Sequence, residues 1–232
     1  MTATTPELTY RFETPAYPGN ILYVKAVTQY QCTNDCLFCS RPRNGVQDKE
    51  NIYERKAGTS LYIAKTPTID EVMKSIDQNI KDDDEELVLI GLGEPLINLN
   101  LVLGVIKRTK AKYEIRTRVD TDGVLNGKYD NLAERLEKTG LDRINISLNA
   151  INEREYNALC QPKLKESYQN LLDFIRDCNA SPIDTFVSFV VDFVDENTGI
   201  KTRPKEEYIE FAKSLEIEED HVIIRPFIQP VE

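Results

Sequence analysis

Two spacings of apolar residues alternate along the chain. Short runs in which most or every second residue is apolar predict strands over residues 21–27, 87–90, 114–119, 143–148, 185–191 and 222–225. Apolar residues three and four positions apart predict helices over residues 69–80, 99–110, 132–138, 153–159, 165–178 and 204–215. Strands that alternate with helices are typical of a parallel α/β sheet with right-handed crossovers, either an incomplete barrel or an open doubly wound sheet.

The polar residues inside two of these strands favour the barrel. In residues 115–120 and 143–149, polar and apolar residues alternate, whereas a central strand covered by helices on both faces is apolar almost throughout. A barrel with a polar interior explains the alternation, and a solvated sheet edge would explain it as well. The residues predicted to face the interior are Tyr23, Lys25, Arg116, Arg118, Asp120, Asn145, Ser147 and Asn149.

Size and charge narrow the class of protein. With 232 residues, 41% of them hydrophobic, the chain can fill one large domain, and we expect an N-terminal arm over residues 1–20 and a core domain over residues 21–232. The formal net charge of -10 disfavours nucleic acid and anionic lipid as partners. Because no apolar run reaches transmembrane length and residues 1–20 lack a signal-peptide pattern, we expect a soluble, cytoplasmic protein.

Three of the five cysteines, Cys32, Cys36 and Cys39, crowd into one stretch after the first predicted strand of the core. An odd number of cysteines with this clustering disfavours a disulfide framework. Thiolates are soft ligands that suit an iron-sulfur cluster or zinc. The stretch therefore predicts a metal site at the carboxyl end of a strand, where active sites of α/β barrels lie.

A structural zinc site remains an alternative, but it would need a fourth protein ligand. His221, Cys160 and Cys178 are not at a recognisable zinc-finger spacing from the three cysteines. A four-iron cluster needs no fourth protein ligand if one iron binds a substrate. Cys160 and Cys178 are better explained as buried packing residues.

The cysteine spacing resembles the signature of the radical SAM enzymes, Cys-x-x-x-Cys-x-x-Cys with an aromatic residue before the third cysteine. The matching residues are Cys32, Cys36, Phe38 and Cys39. The resemblance implies a partial (βα)6 TIM barrel with outer helices over residues 21–232, and a [4Fe-4S] cluster that binds S-adenosylmethionine beside Phe38. It also implies cleavage of that cofactor to a 5'-deoxyadenosyl radical.

A second stretch is similar to another motif of the same family. Residues 91–95 read Gly-Leu-Gly-Glu-Pro, where the family has Gly-Gly-Glu-Pro at the end of the second barrel strand. The resemblance assigns Gly93 and Glu94 to the amino group of the bound methionine moiety, and Ser147 and Asn149 to the ribose. A strand-end turn and a helix cap at Asn149 are the structural alternatives.

The narrower likeness is to the TatD-linked radical SAM proteins. It rests on residues 91–95, 147–150 and 155–162 and covers most of the chain from 21 to 225. Asp122 departs from the family pattern, because many relatives have Thr-Asn-Gly where this chain has Thr-Asp-Gly. No role is therefore carried over to Asp122.

Four cations on predicted strands are candidates for the substrate pocket: Lys25, Arg116, Arg118 and Arg225. One would neutralise the carboxylate of S-adenosylmethionine, and the others would bind an anionic group of the substrate. The alternative is that the arginines pair with carboxylates such as Glu94 or Asp120 and hold the interior together.

The sequence therefore predicts an enzyme that generates a 5'-deoxyadenosyl radical and abstracts a hydrogen atom from a small-molecule or peptide substrate. A separate electron donor such as flavodoxin or ferredoxin is implied, because the chain contains no segment of that type. A glycyl-radical activating enzyme and a 7-carboxy-7-deazaguanine synthase-like enzyme are alternatives with the same cofactors. A zinc-stabilised binding module is the alternative from another class.

Overall fold

A seven-stranded sheet forms the centre of the protein. The computed structural model describes residues 7–14, 17–27, 31–39 and 60–228. The strands of the sheet are β1 (Thr9–Tyr10), β4 (Ile21–Lys25), β5 (Glu86–Ile90), β6 (Arg116–Thr121), β7 (Arg143–Ser147), β8 (Asp184–Val191) and β9 (Val222–Pro226). They lie in the order β1-β4-β5-β6-β7-β8-β9. Strands β4 to β9 are parallel, and β1 is antiparallel to β4. Two short strands, β2 (Glu13–Thr14) and β3 (Tyr17–Pro18), pair separately.

Within the described residues, six helices connect the parallel strands. They are α1 (Ile69–Asn79), α2 (Leu99–Lys112), α3 (Leu132–Glu137), α4 (Glu153–Cys160), α5 (Ser167–Asn179) and α6 (Lys205–Ser214). Single 3-10 turns cover Pro95–Asn98, Val124–Gly127 and Glu219–His221. The predicted alternation of strands and helices is confirmed, while two helix starts shift. Helix α5 begins at Ser167 instead of residue 165, and Pro204 is the N-cap of α6 instead of its first residue.

The two faces of the sheet explain why polar and apolar residues alternate within its strands. The face toward the helices is apolar, and its residues, among them Leu87, Val119, Ile146 and Val187, are fully buried in the main core. Removal of this apolar surface from water is the principal force that holds helices to sheet. The opposite face carries a small apolar cluster of Tyr10, Tyr23, Leu61 and Val88. It also carries polar and charged side chains, among them Arg118, Asp120 and Asn145.

The described part of the predicted N-terminal arm contacts the sheet. Thr9 and Tyr10 pair with β4, and Leu8 is buried in the main core. Arg11 forms an ion pair with Asp84 and donates to the carbonyl oxygen of Asn79 at 2.7 Å. Residues 8–11 therefore pack with the sheet, and the division into an arm and a core domain stays a prediction. In the described part of the chain, no helix has the length and apolar character needed to span a membrane.

Candidate active site

The cysteine loop, residues 31–39, follows β4 and is held by the end of α4. Backbone hydrogen bonds run from the N–H of Asp35 to the carbonyl oxygen of Cys160 (3.0 Å), from Leu37 to Leu159 (2.9 Å) and from Lys163 to Thr33 (2.8 Å). Gln161 adopts a left-handed conformation with φ 46, which ends the helix and turns the chain along the loop. The loop is therefore fixed by backbone contacts to a segment more than a hundred residues away in the sequence.

The three thiols of the loop differ in exposure. Cys32 and Cys36 are half-buried and Cys39 is exposed. The N–H of Cys39 donates to the carbonyl oxygen of Cys36 at 3.1 Å, which forms a turn between these two residues. Within the described residues, no three His, Cys, Asp or Glu side chains converge around one metal position.

The chemistry of the donor set fits the implied cluster. The cysteines form no disulfide, so the loop offers three soft sulfur donors at the carboxyl edge of the sheet. The role of Cys32, Cys36 and Cys39 as ligands stays a prediction. Cys160 and Cys178 are fully buried in the main core, as expected for packing residues.

Glu94 lies in the turn after β5, next to the cysteine loop. Its N–H donates to the carbonyl oxygen of Gln31 at 2.7 Å. Its Oε1 accepts from the hydroxyl of Thr121 at 2.7 Å and from the N–H of Leu96 at 2.8 Å, and its Oε2 accepts from the N–H of Asp122 at 2.6 Å. Burial, together with the nearby Asp122 carboxylate, raises the pKa of Glu94 well above its usual range. A ligand ammonium at this turn would favour the charged carboxylate and lower that pKa again.

Asp122, for which the sequence predicted no role, contacts the cysteine loop. Its Oδ2 accepts hydrogen bonds from the hydroxyl of Thr33 and from the thiol of Cys32, the latter at 3.6 Å. Burial raises the pKa of Asp122, against the opposing effect of the Thr33 hydrogen bond. The one signal that could have identified it was the carboxylate in place of the amide that many relatives have.

Other residues predicted to bind the cofactor lie in the cysteine loop and at or just after the end of β7. Phe38 is half-buried and packs edge to face on Phe193, with ring centroids 5.8 Å apart. Ser147 is the last residue of β7. Asn149 has φ 57, and its Oδ1 accepts from the N–H of Val190 at 3.1 Å, so its amide oxygen connects β7 to β8.

Asn149 does not cap the following helix. Asn152 is the N-cap of α4, and its side chain accepts from the N–H of Glu155. The capping alternative for Asn149 is therefore wrong. The assignments of Phe38, Gly93, Glu94, Ser147 and Asn149 to S-adenosylmethionine stay predictions.

Two of the four candidate cations lie in the amino-terminal half of β6. Arg116 is the first residue of β6 and pairs with Asp184 at 3.0 Å on a largely exposed surface. Arg118 is buried between Glu86 and Asp120, with 2.9 Å between its Nε and Oδ1 of Asp120. Both arginines are therefore paired with carboxylates, which is the alternative given for them above, and their role toward a substrate stays a prediction.

Lys25 and Arg225 lie nearer the carboxyl edge. Lys25 is the last residue of β4 and is buried, and its Nζ donates to the carbonyl oxygen of Ser60 at 2.6 Å. Arg225 is exposed near the end of β9 and has no ion-pair partner within the residues that the structure covers. These two cations remain candidates for contact with an anionic ligand group.

Comparisons with known proteins identify the family of the chain. The sequence model of the Radical SAM superfamily matches residues 27–215. The chain is 25% identical over 185 residues to a probable GTP 3',8-cyclase of Methanocaldococcus jannaschii, over 80% of this chain and 53% of the relative. It is 26% identical over 158 residues to the GTP 3',8-cyclase of Campylobacter jejuni subsp. doylei, over 68% of this chain and 44% of the relative. The chain thus spans about half the length of the curated relatives it matches.

Solved structures share the fold. Native anSMEcpe with bound AdoMet superposes with a TM-score of 0.60 at 13% identity, covering 91% of this chain and 52% of that chain. Streptococcus suis SuiB bound to S-adenosylmethionine superposes with a TM-score of 0.59 at 13% identity, covering 90% of this chain and 40% of that chain. The predicted fold class, a partial barrel of parallel strands with outer helices, is confirmed.

Proposed function

Because the chain belongs to the radical SAM superfamily, whose enzymes bind S-adenosylmethionine and a [4Fe-4S] cluster, we propose that it cleaves S-adenosylmethionine reductively. Cys32, Cys36 and Cys39 would hold the cluster. When bound, this pair of cofactors supplies a 5'-deoxyadenosyl radical, which would abstract a hydrogen atom from a substrate. The chain supplies placement and electrostatics.

The observation that carries this proposal is the meeting of the two family motifs at one edge of the sheet. The cysteine loop and the Glu94 turn are separated by a long stretch of sequence, yet Glu94 donates its backbone N–H to Gln31 at 2.7 Å. The cysteines therefore lie beside the carboxylate that would accept the amino group of the methionine moiety. A zinc-stabilised binding module would not need this carboxylate, and the superfamily match disfavours that alternative.

The residues around the edge have separate roles in the proposal. Glu94 orients the ammonium group through charge and hydrogen bonding. Phe38 provides an apolar face for the adenine, and Ser147 and the amide nitrogen of Asn149 offer hydrogen bonds to the ribose. Lys25 and Arg225 are the cations available for a carboxylate or for an anionic substrate group.

The relatives bear on the choice of substrate. The curated relatives are named for action on GTP, but the chain spans only about half of their length. A small-molecule or peptide substrate, a separate donor such as flavodoxin or ferredoxin, and a cytoplasmic location all remain part of the proposal. The narrower TatD-linked likeness stays a prediction as well.

The test is anaerobic reconstitution with iron and sulfide, followed by measurement of iron, zinc and 5'-deoxyadenosine after addition of dithionite and S-adenosylmethionine. We expect about four iron atoms per chain and cofactor cleavage. Cys36→Ala should lose both, whereas Cys178→Ala, the same change in the buried core, should keep both. Stoichiometric zinc without cleavage, or full activity of Cys36→Ala, would contradict the proposal.

A further inference from the structure

Asp122 connects two parts of the site that are distant in the sequence. Its side chain accepts hydrogen bonds from Thr33 and Cys32 in the cysteine loop. Its backbone N–H donates to Oε2 of Glu94 at 2.6 Å. Asp122 therefore holds the loop with its side chain and the Glu94 turn with its backbone.

A second connection joins the same two parts without Asp122. The N–H of Glu94 donates to the carbonyl oxygen of Gln31 at 2.7 Å, immediately before Cys32. The two connections enclose Cys32 and form a closed ring of hydrogen bonds. Thr33 and Glu94 are both buried, so water competes little for these bonds. Displacement of one member of such a buried network disturbs the others.

We propose that Asp122 is a positioning residue that makes the cysteine loop and the Glu94 turn move as one unit. A cluster held by the loop would then keep a constant placement relative to S-adenosylmethionine held at the turn. This consequence rests on the proposed function. The hydrogen-bonded connection between the loop and the turn does not depend on the proposed function, because only groups of the protein chain form it.

Thr33 allows one hydrogen bond of this network to be removed without changing a residue assigned to either cofactor, while the bonds from Cys32 to Asp122 and from Glu94 to Gln31 remain. Thr33→Val keeps the shape of the side chain and removes the hydroxyl donor, whereas Thr33→Ser keeps the donor. A matched control is Thr198→Val, because the Thr198 hydroxyl also donates to an aspartate carboxylate, that of Asp195, but in an exposed loop. If Thr33→Val cannot be purified in folded form, Thr33→Ala removes the same hydroxyl.

The first experiment is hydrogen exchange of the cofactor-free protein, followed by mass spectrometry. We expect Thr33→Val to speed exchange about tenfold both in the cysteine loop and at the amides of Glu94 and Asp122, since these segments would open together. Thr33→Ser and Thr198→Val should exchange like the unmodified protein in these segments. Faster exchange confined to the loop, or no change in either segment, would overturn the connection.

The second experiment measures binding of S-adenosylmethionine to the iron-loaded variants by calorimetry. Thr33→Val should retain its iron and bind the cofactor about tenfold more weakly, the range expected for coupling between two sites. Thr33→Ser should restore the affinity to within about twofold. Unchanged affinity in Thr33→Val would overturn the positioning role. A protein that binds no S-adenosylmethionine in any form would instead overturn the proposed function and leave the exchange result standing.

Discussion

Removal of the Arg118 guanidinium should destabilise the fold strongly and leave the cysteine loop in place. Arg118 lies between Glu86 and Asp120, with side-chain exposures of 11%, 11% and 13%. In Arg118→Ala, two buried carboxylates lose their counter-charge. Loss of one partner of a buried ion pair costs about 3–5 kcal/mol, because the remaining charge stays out of water.

This cost can be measured as a shift in melting temperature. For a chain of this length each kcal/mol lowers Tm by about 2–4 °C, so Arg118→Ala should melt roughly 6–20 °C lower. Arg116→Ala is the matched control, since Arg116 is 57% exposed in its pair with Asp184. A solvent-screened pair contributes about 0–1 kcal/mol, so this variant should lose less than about 4 °C. Calorimetry of cofactor-free protein avoids stabilisation by ligands.

The pH dependence provides a further check on the same variant. Burial raises the pKa of Glu86 even though Arg118 opposes the shift. Without Arg118 the pKa of Glu86 should rise further. A carboxyl group whose pKa is raised in the folded state lowers the stability of the protein as the pH rises toward that pKa, because the group must then be ionised while buried. The deficit of Arg118→Ala should therefore be smaller at about pH 5 than at about pH 8.

Two results would refute this reasoning. The first is a Tm for Arg118→Ala equal to that of Arg116→Ala. The second concerns the triple variant Arg118→Met/Glu86→Leu/Asp120→Leu, which removes all three of these charges. This protein should regain most of the lost stability, because replacing a whole buried ionic network with apolar residues is often neutral. If it is as unstable as Arg118→Ala, packing and not charge explains the loss.

Three smaller predictions follow from local geometry. Gly123 has φ +71, and an added Cβ would lie 2.9 Å from a Leu171 methyl group; Gly123→Ala should therefore cost about 2–4 kcal/mol in urea unfolding. Gly199→Ala, at the same φ with no described atom within 4 Å, should cost only about 1–2 kcal/mol; equal costs would contradict the packing argument. The hydrogen bond from Arg203 lowers the pKa of Glu155. The stabilisation from the Arg203–Glu155 pair is present above the pKa that a glutamate has in the unfolded chain. It is lost as the pH falls through the lowered pKa of Glu155 in the folded protein. Arg203→Gln should accordingly reduce stability by about 0.2–1 kcal/mol at neutral pH and by progressively less as the solution becomes acidic, as measured by unfolding across pH. Thr68→Ala removes the N-cap of α1 and should cost about 1 kcal/mol, visible as faster hydrogen exchange in that helix; unchanged exchange would show that the cap is dispensable.

The order of strands and helices could be predicted because hydrophobic periodicity is a local property. Each predicted core strand and helix is present, with ends shifted by a few residues. The cysteine signature could also be recognised from the sequence, since all three cysteines lie in one short stretch of the chain. The carboxylate at Glu94 could be placed near the loop because the ends of parallel strands meet at one edge of a sheet.

Only the tertiary structure decided what the interior charges do. Alternation along β6 showed that Arg116 and Arg118 share a face, but it could not show their depth in the barrel or the carboxylates on neighbouring strands that neutralise them. The contact of Asp122 with Thr33 joins residues 89 positions apart. Such contacts depend on sheet register and on the path of loops, which are set by packing of the whole domain and not by any local pattern.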